Sequence, residues 1–379
     1  HWIEWDTLLL DPLDPLFRAV GRQFVAEQTR LYGTDHLYAS DTFIEMSPPS
    51  REPAFLADMG RAVFGAMHDA DPDATWLMQG WLFVNNPGFW KPPQARALLT
   101  AVPDDRLLVL DLYGESDPAW KRTESFQGNP WVFGIIQTFG DTVSLHGGLP
   151  QIATHLQEAL DQSRPDRLRG LGHIMEGLGC NPVVHDFLCD MTWEDRVPDV
   201  DRWLRAYVER RYGQRHPKAD AAWSMLARSV YAAPGPTGTT LTARPSLRVQ
   251  GPGVQIPVAQ AWRSLLDASD ALGAVDTYRF DLVNVARQAL AGLAGPLTAE
   301  LIAAYHAHDR PALARARRAL DELAADLDEL LATRRELLLG RWLADARSWG
   351  TNDAERRLYE WNARTQITLW GPPDSALHE

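Results

Sequence analysis

Lysine is nearly absent from this chain. Of its 37 basic residues only Lys91, Lys121 and Lys218 are lysines, against 50 acidic ones, and the net charge is −13. That balance leaves no general basic surface for nucleic-acid phosphates and no electrostatic pull toward an anionic membrane. Long apolar runs are missing too: none approaches the ~20 residues of a membrane span. Cysteine is scarce. Cys180 and Cys189 fit neither a zinc nor a redox spacing and read as buried free thiols. No Asn-x-Ser/Thr sequon occurs, so nothing marks an N-glycosylated surface.

What remains is a chain of 379 residues with 45% hydrophobic content, enough for two domains with full cores. Its first half alternates strand-like runs with helical ones. "DHLYASDTF", "TWLMQGWLF", "RLLVLDLYG", "WVFGIIQTFG" and "LGHIMEGLG" read as strands. "PLFRAVGRQFVAEQTRLYG" reads as a helix before them, and "PPQARALLTAV" and "LPQIATHLQEALDQ" read as helices between them. In the first helix Leu16, Val20, Phe24 and Val25 recur at helical spacing before Gly33. The run Leu107 to Leu112, apolar but for Asp111, suits a strand buried on both faces, and the alternation implies a parallel sheet. After "MTWEDRVPDV" strand signals fade, and the stretches from "VDRWLRAYVERRYG" onward carry helical periodicity and i,i+4 charge pairs. The Pro-, Gly- and Thr-rich stretch from Ala233 to Pro257 reads as a loop or short hairpin. The expected organisation is α/β at 1–196, then all-α at 197–379.

Two glutamates stand where strands give way to loops. Glu45, in "YASDTFIEMSPPS", precedes Pro48 and Pro49, which cannot continue a ladder. Glu176, in "GHIMEGLGCNP", precedes closely spaced glycines that permit a tight turn. The carboxyl-terminal edge of a parallel barrel is where catalytic carboxylates gather. Two of them can divide the work of glycoside hydrolysis, one protonating the leaving oxygen and the other attacking or activating water. Aromatic residues near these exits, Trp76, Trp81 and Phe83, suit sugar stacking. An extended reading of the segment puts Asp41 on one strand face with Phe43 and Glu45, so Asp41 could orient a hydroxyl or Glu45 itself. His173, beside the last strand end, is a further site candidate, as is Glu115. No metal or organic cofactor is needed, because carboxyls and water suffice.

"EQTRLYGTDHLYASDTFIEMSPPS", "WLMQGWLFVNNPGFW", "RLLVLDLYGES", "RTESFQGNPWVFGIIQTFG" and "RLRGLGHIMEGLGCNPVVHDF" resemble the alpha-N-acetylglucosaminidase family, glycoside hydrolase family 89. In the helical half so do "WLRAYVERRYG", "HPKADAAWSMLARSVY", "YRFDLVNVARQAL" and "NARTQITLWGP". The resemblance implies the latter part of a (β/α)8 TIM-like barrel followed by an α-helical C-terminal domain. It also implies a longer parent with an N-terminal domain, earlier barrel strands and further C-terminal helices. The implied chemistry is a retaining double displacement on terminal α-linked N-acetylglucosamine, with Glu45 as general acid/base and Glu176 as nucleophile. Asp41, Trp81, His173, Asn181 and Trp370 would contact the sugar. The family's bacterial members set the expectation of an exported or periplasmic protein.

Two departures bear on specificity. Ile44 stands where the family carries a polar residue before the acid, and Gln137 to Thr142 replaces a His-Asn-Phe-Gly-Gly-Asn-like segment. A site that loses a hydrogen-bond donor to its substrate loses selectivity steeply. The alternatives are therefore a carbohydrate-binding relative with impaired turnover and a retaining glycosidase for another α-linked sugar.

Overall fold

Five apolar runs become five parallel strands: β1 (Leu37–Ala39), β2 (Thr75–Gln79), β3 (Leu107–Asp111), β4 (Trp131–Ile135) and β5 (Leu168–His173). They lie side by side in chain order, the order that successive right-handed strand–connection–strand units generate in a barrel wall. The computed structural model describes residues 10–138, 144–164, 166–176, 181–236, 238–243, 246–249 and 253–368. The chain divides into two compact units. One comprises His1–Gln137, Gly148–Glu176 and Pro182–Val197; the other comprises Thr138–Gly147, Gly177–Asn181 and Pro198–Glu379.

In the first unit one sheet face is buried across β1 to β4, while β5 has no buried residue. Register sets Trp76 beside Leu107, Met78 beside Val109, and Val109 beside Trp131, and all of these are buried together with Phe133. Burying a side chain of this size contributes roughly 1.5–3 kcal/mol. Leu108 and Leu110, pointing the other way, are only half-buried, so Leu107 to Leu112 is not sealed on both faces as its apolar run suggests. The same alternation takes Asp111 to the Leu107 and Val109 face.

Helices α1 (Pro15–Tyr32), α2 (Pro53–His68), α3 (Trp81–Asn85), α4 (Pro92–Leu99), α5 (Leu149–Gln162) and α6 (Pro182–Met191) complete this unit. The Asp14 side chain caps α1 by accepting from Leu16 N at 2.8 Å, and Gly33 ends it. The helical spacing in α1 holds, yet Leu16, Val20 and Phe24 are exposed and Val25 alone of the four is buried. The small-residue face packs instead: a Cβ on Gly21 would come within 2.8 Å of Ala66 Cβ in α2. Between β3 and β4, residues Glu124 to Gln127 take four successive left-handed φ angles of 52–56°. That conformation costs roughly 1–2 kcal/mol per residue. The fully buried Phe126, packed 5.6 Å from the Trp131 ring, anchors the turn.

The second unit is helical: α7 (Val200–Tyr212), α8 (Pro217–Ala227), α9 (Ile256–Leu266), α10 (Ser269–Leu272), α11 (Asp276–Ala291), α12 (Ala294–His306), α13 (Arg310–Ala332), α14 (Leu339–Ser348) and α15 (Asp353–Gln366). Among the described residues it contains no strand. A buried polar network ties α7 to α11. Arg211 donates twice to Asp281, at 2.6 and 2.9 Å, Tyr212 Oη donates to the same carboxylate at 2.9 Å, and Trp223 Nε1 donates to Tyr212 Oη at 2.8 Å. Burial opposes the Arg211 charge, but Asp281 outweighs it and holds the guanidinium pKa above its ordinary value. Removing one partner strands the other charge in a site largely closed to water. Asp281→Ala should therefore cost about 3–5 kcal/mol of stability, read as a lower midpoint in chemical denaturation; an unchanged midpoint would show the network to be incidental.

Candidate active site

The exit of β1 is shaped by what stops the strand. Ser40 N still reaches Leu77 O at 3.2 Å, but Trp76 Nε1 donates to Ser40 O at 2.7 Å. Gln79, the last residue of β2, then captures Asp41: its backbone N and Nε2 donate to the carboxylate at 3.0 and 2.8 Å. The chain turns there, with Phe43 at φ 56°. Asp41, Phe43 and Glu45 consequently share no strand face, which corrects the extended reading of this segment. Asp41 instead pins the exits of β1 and β2 together.

Glu45 lies in the turn beyond, where its Oε1 accepts a hydrogen bond of 3.1 Å from Trp81 Nε1. Trp81 opens α3 directly after β2 and Gly80. Its ring meets Tyr113 edge-on, 5.7 Å between centroids, at the exit of β3. Carboxylate, indole and phenol thus form a line across three consecutive strand exits. Trp76 and Phe83, the other aromatic candidates, are core residues 1% and 0% exposed, because they fall on the buried sides of β2 and α3. Gln79 and Tyr113 were not singled out from sequence, although each closes or follows a strand.

The exits of β3 and β4 meet backbone to backbone. Gly114 N donates to Gly134 O at 2.9 Å. A Cβ on Gly114 would lie 2.7 Å from that oxygen, and one on Gly134 would lie 2.6 Å from Asp111 O. Two buried carboxyls flank this contact. Asp111 accepts from Ala119 N and Trp120 N at 3.1 and 2.9 Å, so it serves the β3–β4 crossover rather than a barrel interior. Glu115 Oε1 accepts from Ile136 N at 3.1 Å and Gln137 N at 2.7 Å. Burial pushes Asp111 up to about 6, against the pull of its Trp120 and Ala119 donors. Burial likewise pushes Glu115 up to about 7, against its Gln137 and Ile136 donors and with some help from Asp111.

The last strand delivers a different set. Glu176 is exposed three residues beyond β5. His173, the last residue of β5, faces α6: its Nδ1 lies 3.1 Å from His185 Nδ1 and its Nε2 lies 3.5 Å from Cys189 Sγ. Burial lowers the His173 pKa, and it lowers His185 to about 4 with help from the neighbouring His173. Cys189 is exposed, not buried, although it borders His173 of β5; Cys180 falls outside the described residues. In the second unit Asn181 is fully buried, accepting from His146 N at 3.2 Å and donating to Ser144 O at 3.3 Å. Trp370 falls outside the described residues.

Among the described residues one group, His36, Asp71 and Asp73, has ligand atoms close enough for a metal ion. It precedes β1 and β2, at the opposite sheet edge from Glu45. Its Asp71 Oδ2 is already shared by His36 at 2.7 Å and Tyr38 Oη at 2.8 Å. No helix among the described residues is long and apolar enough to cross a membrane.

Parallel strands in sequential order, with carboxyls and an indole gathered at their carboxyl ends, define a (β/α)-barrel protein whose site lies at that rim. Residues 1–195 match the alpha-N-acetylglucosaminidase TIM-barrel domain and residues 203–379 match the C-terminal domain of the same family. The chain belongs to the alpha-N-acetylglucosaminidase family. Human alpha-N-acetylglucosaminidase is 41% identical over 380 residues, covering 98% of this chain and 51% of its own length. The chain thus spans about half of that relative. A family 89 glycoside hydrolase from Clostridium perfringens, in complex with 2-acetamido-1,2-dideoxynojirmycin, matches the fold with a TM-score of 0.84 at 24% identity. The match covers 96% of this chain and 42% of that one. A doubly Glu→Gln-substituted form of the same enzyme, in complex with its substrate GlcNAc-alpha-1,4-galactose, matches equally well.

The raised carboxyls set a pH dependence. A group whose folded pKa lies above its unfolded value stabilises the fold at low pH, and that contribution fades as pH rises through the folded pKa. For Glu115 the window runs from about 4.5 to about 7. His185, depressed to about 4, has the opposite sign: its contribution is present above about 6.5 and lost as pH falls through 4. Comparing Glu115→Gln with the parent isolates the first effect. The parent should lose thermal stability relative to the variant between pH 4.5 and 7.5, and parallel melting curves across that range would contradict the assignment.

Proposed function

We propose that the full-length protein is a retaining exo-glycosidase that releases terminal α-linked N-acetylglucosamine through Glu45 and Glu176. The observation that carries this reading is the Glu45 carboxylate held by the Trp81 indole N–H at a barrel strand exit. Family membership supports the substrate class, since the matched relatives are named for, or bound to, α-linked N-acetylglucosamine or its analogues.

In the first step Glu176 attacks the anomeric carbon while Glu45 gives its proton to the glycosidic oxygen. The C–O bond breaks, the aglycone leaves as an alcohol, and a β-linked glycosyl ester forms on Glu176. In the second step Glu45, now a carboxylate, takes a proton from water, whose oxygen attacks the same carbon from the opposite face. Glu176 leaves as carboxylate, and the sugar departs with its original α configuration. A neutral donor suits Glu45 in both steps: the indole N–H orients the carboxyl without fixing a proton on it. Trp81, edge-on to Tyr113, would also offer a ring face to the sugar.

The test is hydrolysis of an aryl α-N-acetylglucosaminide by the full-length protein. Glu45→Gln and Glu176→Ala should each lower kcat by at least ~10³-fold, the scale of losing a catalytic group. Azide should restore Glu176→Ala and give the β-glycosyl azide, because the small anion attacks from the side the carboxylate vacated. Variants that turn over like the parent would sink both assignments.

A further inference from the structure

We propose that Glu115 is a positioning residue for this site: it anchors the exit of β4 and so sets what the turn at Gln137 offers the substrate. The proposal rests on the glycosidase reading above. Glu115 is 1% exposed and is therefore out of reach of a sugar; it can act only through its neighbours. Its Oε1 takes two consecutive backbone N–H groups, those of Ile136 and Gln137, just where the β4 ladder ends. Gln137 itself sits at φ 59°, a left-handed conformation that a non-glycine residue keeps only when its surroundings hold it there.

The second oxygen is informative. Oε2 is buried and has no hydrogen-bond partner among the described residues, and an unsatisfied buried acceptor is costly. A buried, half-satisfied carboxyl beside Asp111 is a costly arrangement, and such arrangements concentrate at functional sites; the two N–H groups themselves need only an acceptor oxygen at this position. The geometry also connects Glu115 to the carboxylate at the β1 exit. Gly114, its neighbour, bonds Gly134, and Tyr113, one residue earlier, touches Trp81, which holds Glu45. A shift of the β4 exit is therefore felt at Tyr113. The titratable and charged groups around this contact are Asp111 on β3, the Asp117–Arg122 pair in the crossover, and His155 on α5. His155 Nδ1 lies 2.7 Å from Gly114 O.

The test uses the full-length protein, aryl α-N-acetylglucosaminide and three variants. Glu115→Ala should lower kcat/KM by about 10–100-fold, the scale of a slightly misplaced site, with KM carrying much of the loss. Glu115→Gln, which keeps an acceptor oxygen for both N–H groups, should stay within about threefold of the parent. Gln137→Gly in the Glu115→Ala background should recover part of the loss, since glycine holds a positive φ unaided. A folded Glu115→Ala with unchanged kcat and KM overturns the proposal. So does a Glu115→Gln as impaired as the alanine variant, because the carboxyl would then be needed for more than its acceptor. Amide hydrogen exchange at Ile136 and Gln137 reads the anchor without turnover. It should quicken at least ~10-fold in Glu115→Ala only, and equal exchange in all forms refutes the anchor whatever the parent cleaves. Failure of the parent to cleave this glycoside would count against the glycosidase reading alone.

Discussion

A parallel sheet must end, and where it ends its last N–H groups lose their ladder partners. Buried backbone donors cannot be left unpaired, so something else has to accept from them. In this protein carboxyl groups take that place at two exits and in one crossover turn. Asp41 accepts from Gln79 at the end of β2, Asp111 accepts from the Ala119–Trp120 turn, and Glu115 accepts from Ile136 and Gln137. The loops that carry Glu45, Trp81 and Tyr113 hang from these anchors. What fixes the rim of the barrel is therefore a set of acceptors on loops and strand ends, rather than further strand.

The same solution sets the electrostatics. The two buried carboxyls near this rim, Asp111 and Glu115, are both pushed up by burial and bias this end of the unit toward protonated states at mildly acidic pH. The opposite edge runs the other way. There Asp71, Asp69 and their basic partners favour charged forms, with the carboxyls lowered and His36 and Arg18 raised. A proton-transferring group belongs at the first edge and an ion-paired foundation at the second. This matches the division between active and stabilising faces that the barrel architecture imposes.

How much of this was legible in the sequence depends on how local the deciding contact is. α5, Leu149–Gln162, could be read directly, because its apolar stripe and its buried face coincide. α1 could be read as a helix but not oriented: Leu16, Val20 and Phe24 form the obvious stripe, yet Gly21 marks the face that packs on α2. The strand before Glu45 was read too long, because the residues that end it, Trp76 and Gln79, lie more than 35 positions away and act through side chains. Arg211 and Asp281 are separated by 70 positions, and no periodicity announces such a pair. Of the site, Glu45 and Trp81 were legible and are brought together. Asp41 was legible as important but not for the bond it makes.

Glu115 and Gln137 show where the two kinds of information meet. The resemblance to the family marks Gln137 to Thr142 as a departure, which suggests an altered sugar contact. The structure describes the first two of these residues, and the first is a left-handed glutamine whose N–H is gripped by a buried carboxyl. On this argument Glu115 matters most in relatives whose β4 exit has diverged, because a stiff attachment lets new residues there be placed rather than merely tolerated.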